Sequence, residues 1–174
     1  MQRPFSFRLL PFASIGFLFY AFSLSSCTPN AAFQGKGEAS LQGEWRQDSV
    51  PVEKKLTEYS LYDLKFSCDS FFIRINSFSK VNSGADSCTR SGHWTEYVKG
   101  TYEQKRDTLH VRGNFCNADY SIKEEGGCFR AGIYEENFIL KKKGDSVLEF
   151  AGASSLIPIE ARLIKHTTCT PKPL

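Results

Sequence analysis

The sequence predicts an all-β domain, an antiparallel up-and-down barrel of about eight strands, preceded by a signal peptide and a flexible tether. Short runs alternate apolar and polar residues, the period of two that sends successive side chains to opposite faces of a strand. Gly, Asp, Asn and Ser punctuate these runs, as turn residues do between strands. A helical period is weak and confined to Val52 to Leu61. Strands joined by hairpins make a meander, and closing a meander removes its exposed edges. A two-sheet sandwich is the alternative.

Taken in order, the first segment carries Arg3 and Arg8 and no acidic residue, then runs apolar through Leu9, Leu10, Phe12, Ile15, Phe17, Leu18, Phe19 and Phe22. That is the charge-then-apolar order of a secretory signal, here 1–26. As a membrane span it is too short, and Pro11 and Gly16 interrupt it. Residues 27–40 are small and polar (Thr28, Pro29, Asn30, Gly35, Gly37, Ser40), a composition suited to a flexible spacer. The barrel domain is expected over 41–170, with a tail at 171–174.

Within the domain, Tyr62, Leu64, Phe66 and Cys68 share a strand face, Asp69 and Ser70 turn, and Phe71, Ile73 and Ile75 return. A long strand spans His93 to Gln104, with Gly100 as a bulge. It turns at Lys105 to Asp107 into Leu109, Val111 and Gly113. Further strands are read at Ala118 to Lys123, Cys128 to Leu140, Val147 to Phe150 and Leu156 to Lys165, making eight or nine in all. Pro158 lacks a backbone donor and is tolerated only at an edge or bulge, which favours an incompletely closed barrel.

Leu24, Ser25, Ser26 and Cys27 resemble the lipobox of bacterial lipoproteins. The resemblance implies cleavage before Cys27, lipidation of its thiol and membrane attachment through that lipid. More than one acyl chain on the cysteine makes a stable anchor where a single chain is marginal. Thr28 follows, with no aspartate or acidic run, which by the sorting rules of Gram-negative lipoproteins implies an outer-membrane anchor facing the periplasm. The chain's net charge of +3 falls to +1 once Arg3 and Arg8 leave with the leader. No electrostatic case for nucleic acid remains.

Gly43, Glu44 and Trp45 resemble the Gly-x-Trp signature of lipocalin-like barrels, whose tryptophan plugs one end of the core. Together with Phe66 to Phe71, Gly100-Thr101-Tyr102, Asp107-Thr108-Leu109, Gly127-Cys128 and the ending from Cys169 to Leu174, the chain is similar to a family of small Gram-negative lipoproteins. Members often bear the label fumarate hydratase, which implies a lyase or hydratase. The residues do not carry that chemistry. The Met-containing fumarase loop has no counterpart, Met1 being the only methionine. Iron-sulfur chemistry belongs to a reducing compartment, whereas these cysteines are expected to be exported.

Lipidation of Cys27 leaves five cysteines, hence at most two bridges. If each hairpin reverses the chain, Cys68 and Cys128 lie at one end of the barrel and Cys88, Cys116 and Cys169 at the other. The expected pairs are Cys68 with Cys128 and Cys88 with Cys169, leaving Cys116 free. No Cys-x-x-Cys or histidine pair suggests a metal, and no cofactor motif appears. His93, His110 and His166 are scattered, and His110 and Arg112 alternate with Leu109 and Val111 as on a solvated face. Glu124, Glu125, Glu135 and Glu136 come as neighbours, expected at turns as solubilising charges. No catalytic residue is expected. The aromatic residues are more informative: Trp94, Tyr97, Tyr102, Phe129, Tyr134 and Phe150 either line a lumen that takes an apolar ligand or fill it. The functional expectation is a non-catalytic envelope lipoprotein that binds a small apolar molecule or an envelope protein. An enzyme, or a structural module with a filled core, is the alternative.

Overall fold

A computed structural model describes residues 33–81, 88–89, 91–124 and 128–173. The leader, Cys27 and the first part of the tether lie outside the described residues. Eight antiparallel strands close into a barrel in sequence order. They are β1 (Gly43–Arg46), β2 (Glu58–Ser67), β3 (Ser70–Ser79), β4 (His93–Lys105), β5 (Thr108–Cys116), β6 (Ile133–Lys142), β7 (Val147–Gly152) and β8 (Ile159–His166). The weakly helical stretch near Val52 is a single 3₁₀ turn, Glu53–Lys55.

The alternation read in the sequence is the inside-outside alternation of the wall. Leu64 and Phe66 on β2, Phe71, Ile73 and Ile75 on β3, and Leu109 and Val111 on β5 are buried in one continuous core. Closure falls on β1, only four residues long, which pairs with β2 and also with β8. The bulge in the sheet sits there, between Glu44 and Trp45. It does not fall at Gly100, which pairs in register with Gly113. A side chain at either glycine would strike the opposite backbone at about 2.1 Å, so these glycines permit two strands to approach closely. Pro158 lies just outside β8, so its missing donor takes nothing from the ladder and the barrel closes fully.

The β2–β3 turn is one residue earlier than expected. Ser67 pairs with Ser70, leaving Cys68 and Asp69 at the tip, with Cys68 in the left-handed region at φ 57°. The Gln42 amide brackets this residue: its Oε1 accepts from the Cys68 N–H (2.7 Å) and its Nε2 donates to the Cys68 carbonyl (2.9 Å). The Tyr102 hydroxyl donates to the same carbonyl at 2.7 Å. Buried polar groups satisfied in this way fix a backbone conformation that an L residue otherwise disfavours.

We call the end of the barrel at this turn the base. Trp45 is buried there and donates its indole N–H to the Leu41 carbonyl at 2.8 Å. The chain before it is not a loose spacer from residue 33 onward. Gln34 donates its backbone N–H to the Lys172 carbonyl (2.9 Å), Gly35 to the Asp69 carboxylate (2.8 Å) and Glu38 to the Tyr102 hydroxyl (3.0 Å). Residues 33–40 and 167–173 thus form a two-stranded strap across the base.

The disulfides join Cys68 to Cys169 and Cys88 to Cys128, and Cys116 is free and buried. The same four cysteines expected to bridge do so, with partners exchanged. The expected strand at Ala118 to Lys123 is only an isolated bridge between Cys116 and Ile122, and β6 starts at Ile133 rather than at Cys128. Removing one strand removes one reversal. Every later residue therefore changes ends: Cys169 comes to the base beside Cys68, and Cys128 to the opposite end, the mouth, with Cys88.

Candidate functional site

The lower barrel is filled. Phe66 on β2 stacks on Phe150 across the barrel on β7 (ring centroids 6.2 Å apart), and Phe150 meets Phe138 edge to face (6.0 Å). Phe71 on β3 meets Tyr134 on β6 at 6.4 Å, and Phe115 packs against Tyr134 at 5.6 Å. Opposite walls touch through these rings. Of the six aromatic residues singled out in the sequence, Tyr102 and Phe150 belong to this packed interior. Tyr134 lies at its upper edge. Tyr97 is on the outer face, edge to face with Tyr120 at 5.7 Å, because it falls on the opposite parity of β4 from the buried Val98. Trp94, at the start of β4, stacks on Phe129 in the loop before β6 at 6.1 Å.

Above the core the inward positions turn polar. Ser60 and Ser77 share a hydrogen bond of 2.8 Å. Glu96, buried, takes a two-pronged contact from the Arg130 guanidinium (3.0 and 2.7 Å) and a third bond from the Arg130 backbone N–H (3.1 Å). Arg130 also lies over the Phe115 ring, 4.7 Å from its centroid. Burial alone would raise the Glu96 pKa, but the Arg130 hydrogen bonds and charge outweigh it and hold the carboxyl below its ordinary value. Burial, reinforced by Tyr62 and Glu136, pushes the Tyr134 phenol well above its ordinary range. Tyr62 is raised by burial too, with Arg130 opposing and Glu136 and Glu96 adding to the shift. Both phenols therefore stay protonated donors at neutral pH. Glu136 accepts a hydrogen bond from the Ser154 hydroxyl.

Of these polar residues, Ser60, Tyr62 and Ser154 line an open cleft of about 410 Å³ between the chain after β1, the start of β2 and the β7–β8 loop. Val50, Leu56, Tyr59, Leu156 and Ile157 make its apolar walls, and Gln47, Ser60 and Tyr62 its polar part. Gln47 is 4 % exposed, and its Oε1 is buried with no hydrogen-bond partner. An unpaired buried acceptor costs about 1–3 kcal/mol. Leu156 is fully exposed.

The other expected site residues do not gather here. His110 pairs with Glu135 at 2.9 Å on the outer face, His93 stacks on Phe78 at 4.6 Å, and His166 ends β8 at the base. Glu135 and Glu136 lie within β6 rather than at a turn. Their opposite parity sends Glu135 outward and Glu136 toward the mouth. Among the described residues no cluster of His, Cys, Asp or Glu could hold a metal. Sequence reasoning missed Glu96, Arg130 and Gln47, and read Glu136 as a solubilising charge at a turn. Glu96 carried a usable signal, standing at the parity of Trp94, Val98 and Tyr102 on a strand whose other face is charged.

Fold and site together define an eight-stranded up-and-down barrel with a filled lower core and a polar-floored cleft at its mouth. No family model, curated protein or solved structure matches the chain.

Proposed function

We propose that this protein is a lipid-anchored envelope lipoprotein, held by Cys27 on the periplasmic face of the outer membrane, whose barrel is a non-catalytic binding module. Its ligand is a small, mostly apolar molecule that carries a hydrogen-bond donor. The mouth cleft, not the lumen, is the binding site. The carrying observation is the juxtaposition of the apolar walls with the unpartnered Gln47 Oε1. A donor on the ligand would satisfy that acceptor, and apolar burial against Val50, Leu56 and Leu156 would supply the affinity at about 25 cal/mol per Å² before the cost of association. The resemblance of the leader to a lipobox and of the domain to small Gram-negative lipoproteins supports the anchor and the compartment.

Titration of the mature protein with N-phenyl-1-naphthylamine, an apolar amine with one N–H donor, tests the binding reading. Saturable fluorescence enhancement is expected, reduced about ten-fold or more in affinity by Leu156→Glu, where placing a charge beside an apolar ligand carries a penalty of at least about 1.4 kcal/mol. Enhancement that is absent, or indifferent to that exposed substitution, rejects the cleft as the site. Intact mass tests the anchor: the mature chain is expected to begin at Cys27 and carry three acyl chains.

A further inference from the structure

We infer that the base of the barrel is a docking face for the anionic surface of the bilayer, so that the anchored domain stands upright with its mouth facing away from the membrane. The inference rests on the lipid anchor proposed above and adds an orientation and a partner surface to it. Three observations at the base carry it.

The first is reach. Cys27 is six residues before Phe33, where the chain joins the strap through its bridge to Pro173. Six residues span at most about 20 Å. The lipid therefore holds Phe33 and the base around it within two or three Debye lengths of the headgroups at physiological salt.

The second is charge. Lys36 and Lys172 on the strap, Arg106 at the β4–β5 turn and Lys165 at the end of β8 all lie at this end and are exposed. None takes part in an ion pair among the described residues. Unmatched cations collected at the tethered end complement phosphate headgroups.

The third is surface shape. Phe33, 45 % exposed, stands where the tether leaves the strap, and an aromatic ring suits the headgroup level. Beside it an open cleft of about 410 Å³ is lined by Lys36, Ala39, His166, Thr167 and Pro171 among others. The Thr167 hydroxyl is buried there without a partner. A headgroup phosphate would give Lys36 a counter-charge and that hydroxyl an acceptor.

The test uses the mature acylated protein reconstituted into vesicles of phosphatidylcholine alone and of phosphatidylcholine with phosphatidylglycerol, followed by hydrogen–deuterium exchange. Amides at 33–38, 105–108 and 165–172 are expected to exchange roughly five-fold more slowly or better on the anionic vesicles, the factor that one basic residue near such a surface contributes. Amides at 50–57 and 153–158 are expected to be unchanged. High salt, or the combined variant Lys36→Glu, Arg106→Glu, Lys165→Glu and Lys172→Glu, should abolish the difference while the protein still floats with the vesicles. Flotation with no lipid-dependent protection at the base overturns the docking face and leaves the anchor standing. Protection at the mouth instead overturns the orientation. Failure to float, with no acyl mass on Cys27, overturns both.

Discussion

At the scale of single residues, the most informative side chain is one whose chemistry opposes its surroundings. Glu96 sits inside a barrel wall and is held ionised by Arg130, whose planar fork meets both carboxylate oxygens. Its pKa is lower in the folded chain than in the unfolded one. The associated stability is therefore complete above the ordinary carboxylate range and lost as the pH falls through the depressed folded value. Glu96→Gln is expected to cost roughly 1–3 kcal/mol in urea unfolding at pH 7, with wild type and variant converging as the pH falls from the ordinary carboxylate range through the depressed folded value. A gap that persists in acid would mean the effect is one of packing. The role was only half legible. Parity on β4 turns Glu96 inward, but its partner lies in the irregular loop before β6, and periodicity says nothing about irregular chain. Gln47 was hidden for the same reason, one residue beyond the end of β1.

The strap is the element that sequence composition described least well. Small, polar and glycine-rich residues usually mean a spacer, and for 33–40 they mean a backbone that can lie flat on the barrel's base. Gly37 is at φ 63°, and a Cβ there would come within 1.8 Å of the Cys68 carbonyl oxygen, an approach only glycine allows. Composition records the absence of bulky side chains; it does not distinguish freedom from close contact. The Cys68–Cys169 bridge fastens the strap's second strand across a sequence separation of 101 residues. Cys169→Ser is expected to lower unfolding stability by about 2–5 kcal/mol and to release the amides of 167–173 to fast exchange while β2 to β7 stay protected. A single strand fewer than the alternation suggests accounts for the exchanged disulfide partners. In an antiparallel meander, which end a residue reaches depends on whether the number of preceding reversals is odd or even. One spurious strand at Ala118 to Lys123 was enough to exchange the partners.

For the molecule as a whole, strand alternation alone made the barrel legible, because the inward residues of all eight strands had to find one another. Whether those residues surround a space or consume it was not legible, since ring size and reach across the lumen decide it. Cross-barrel contacts from Phe66 to Phe150 and from Phe71 to Tyr134 decide for a packed interior. Phe150→Ala is accordingly expected to cost about 3–5 kcal/mol in equilibrium unfolding. A cost under about 1 kcal/mol would mean that the ring faces existing space and would reopen the lumen as a binding site.

The four residues of β1 have a consequence for the protein's birth. They are among the first of the domain to be synthesised, yet one of their two partners is β8, with Gly43 paired to His166. Nearly the whole domain must be made before the ring can close, and contacts this distant in sequence form slowly. Until then the growing sheet presents the open edges of β2 and of its newest strand, ready to pair with another chain. A short strand flanked by a strap that is itself stapled to the C-terminal segment is thus a latch set by the last residues delivered, and the interval before it catches is when this protein has most need of a chaperone.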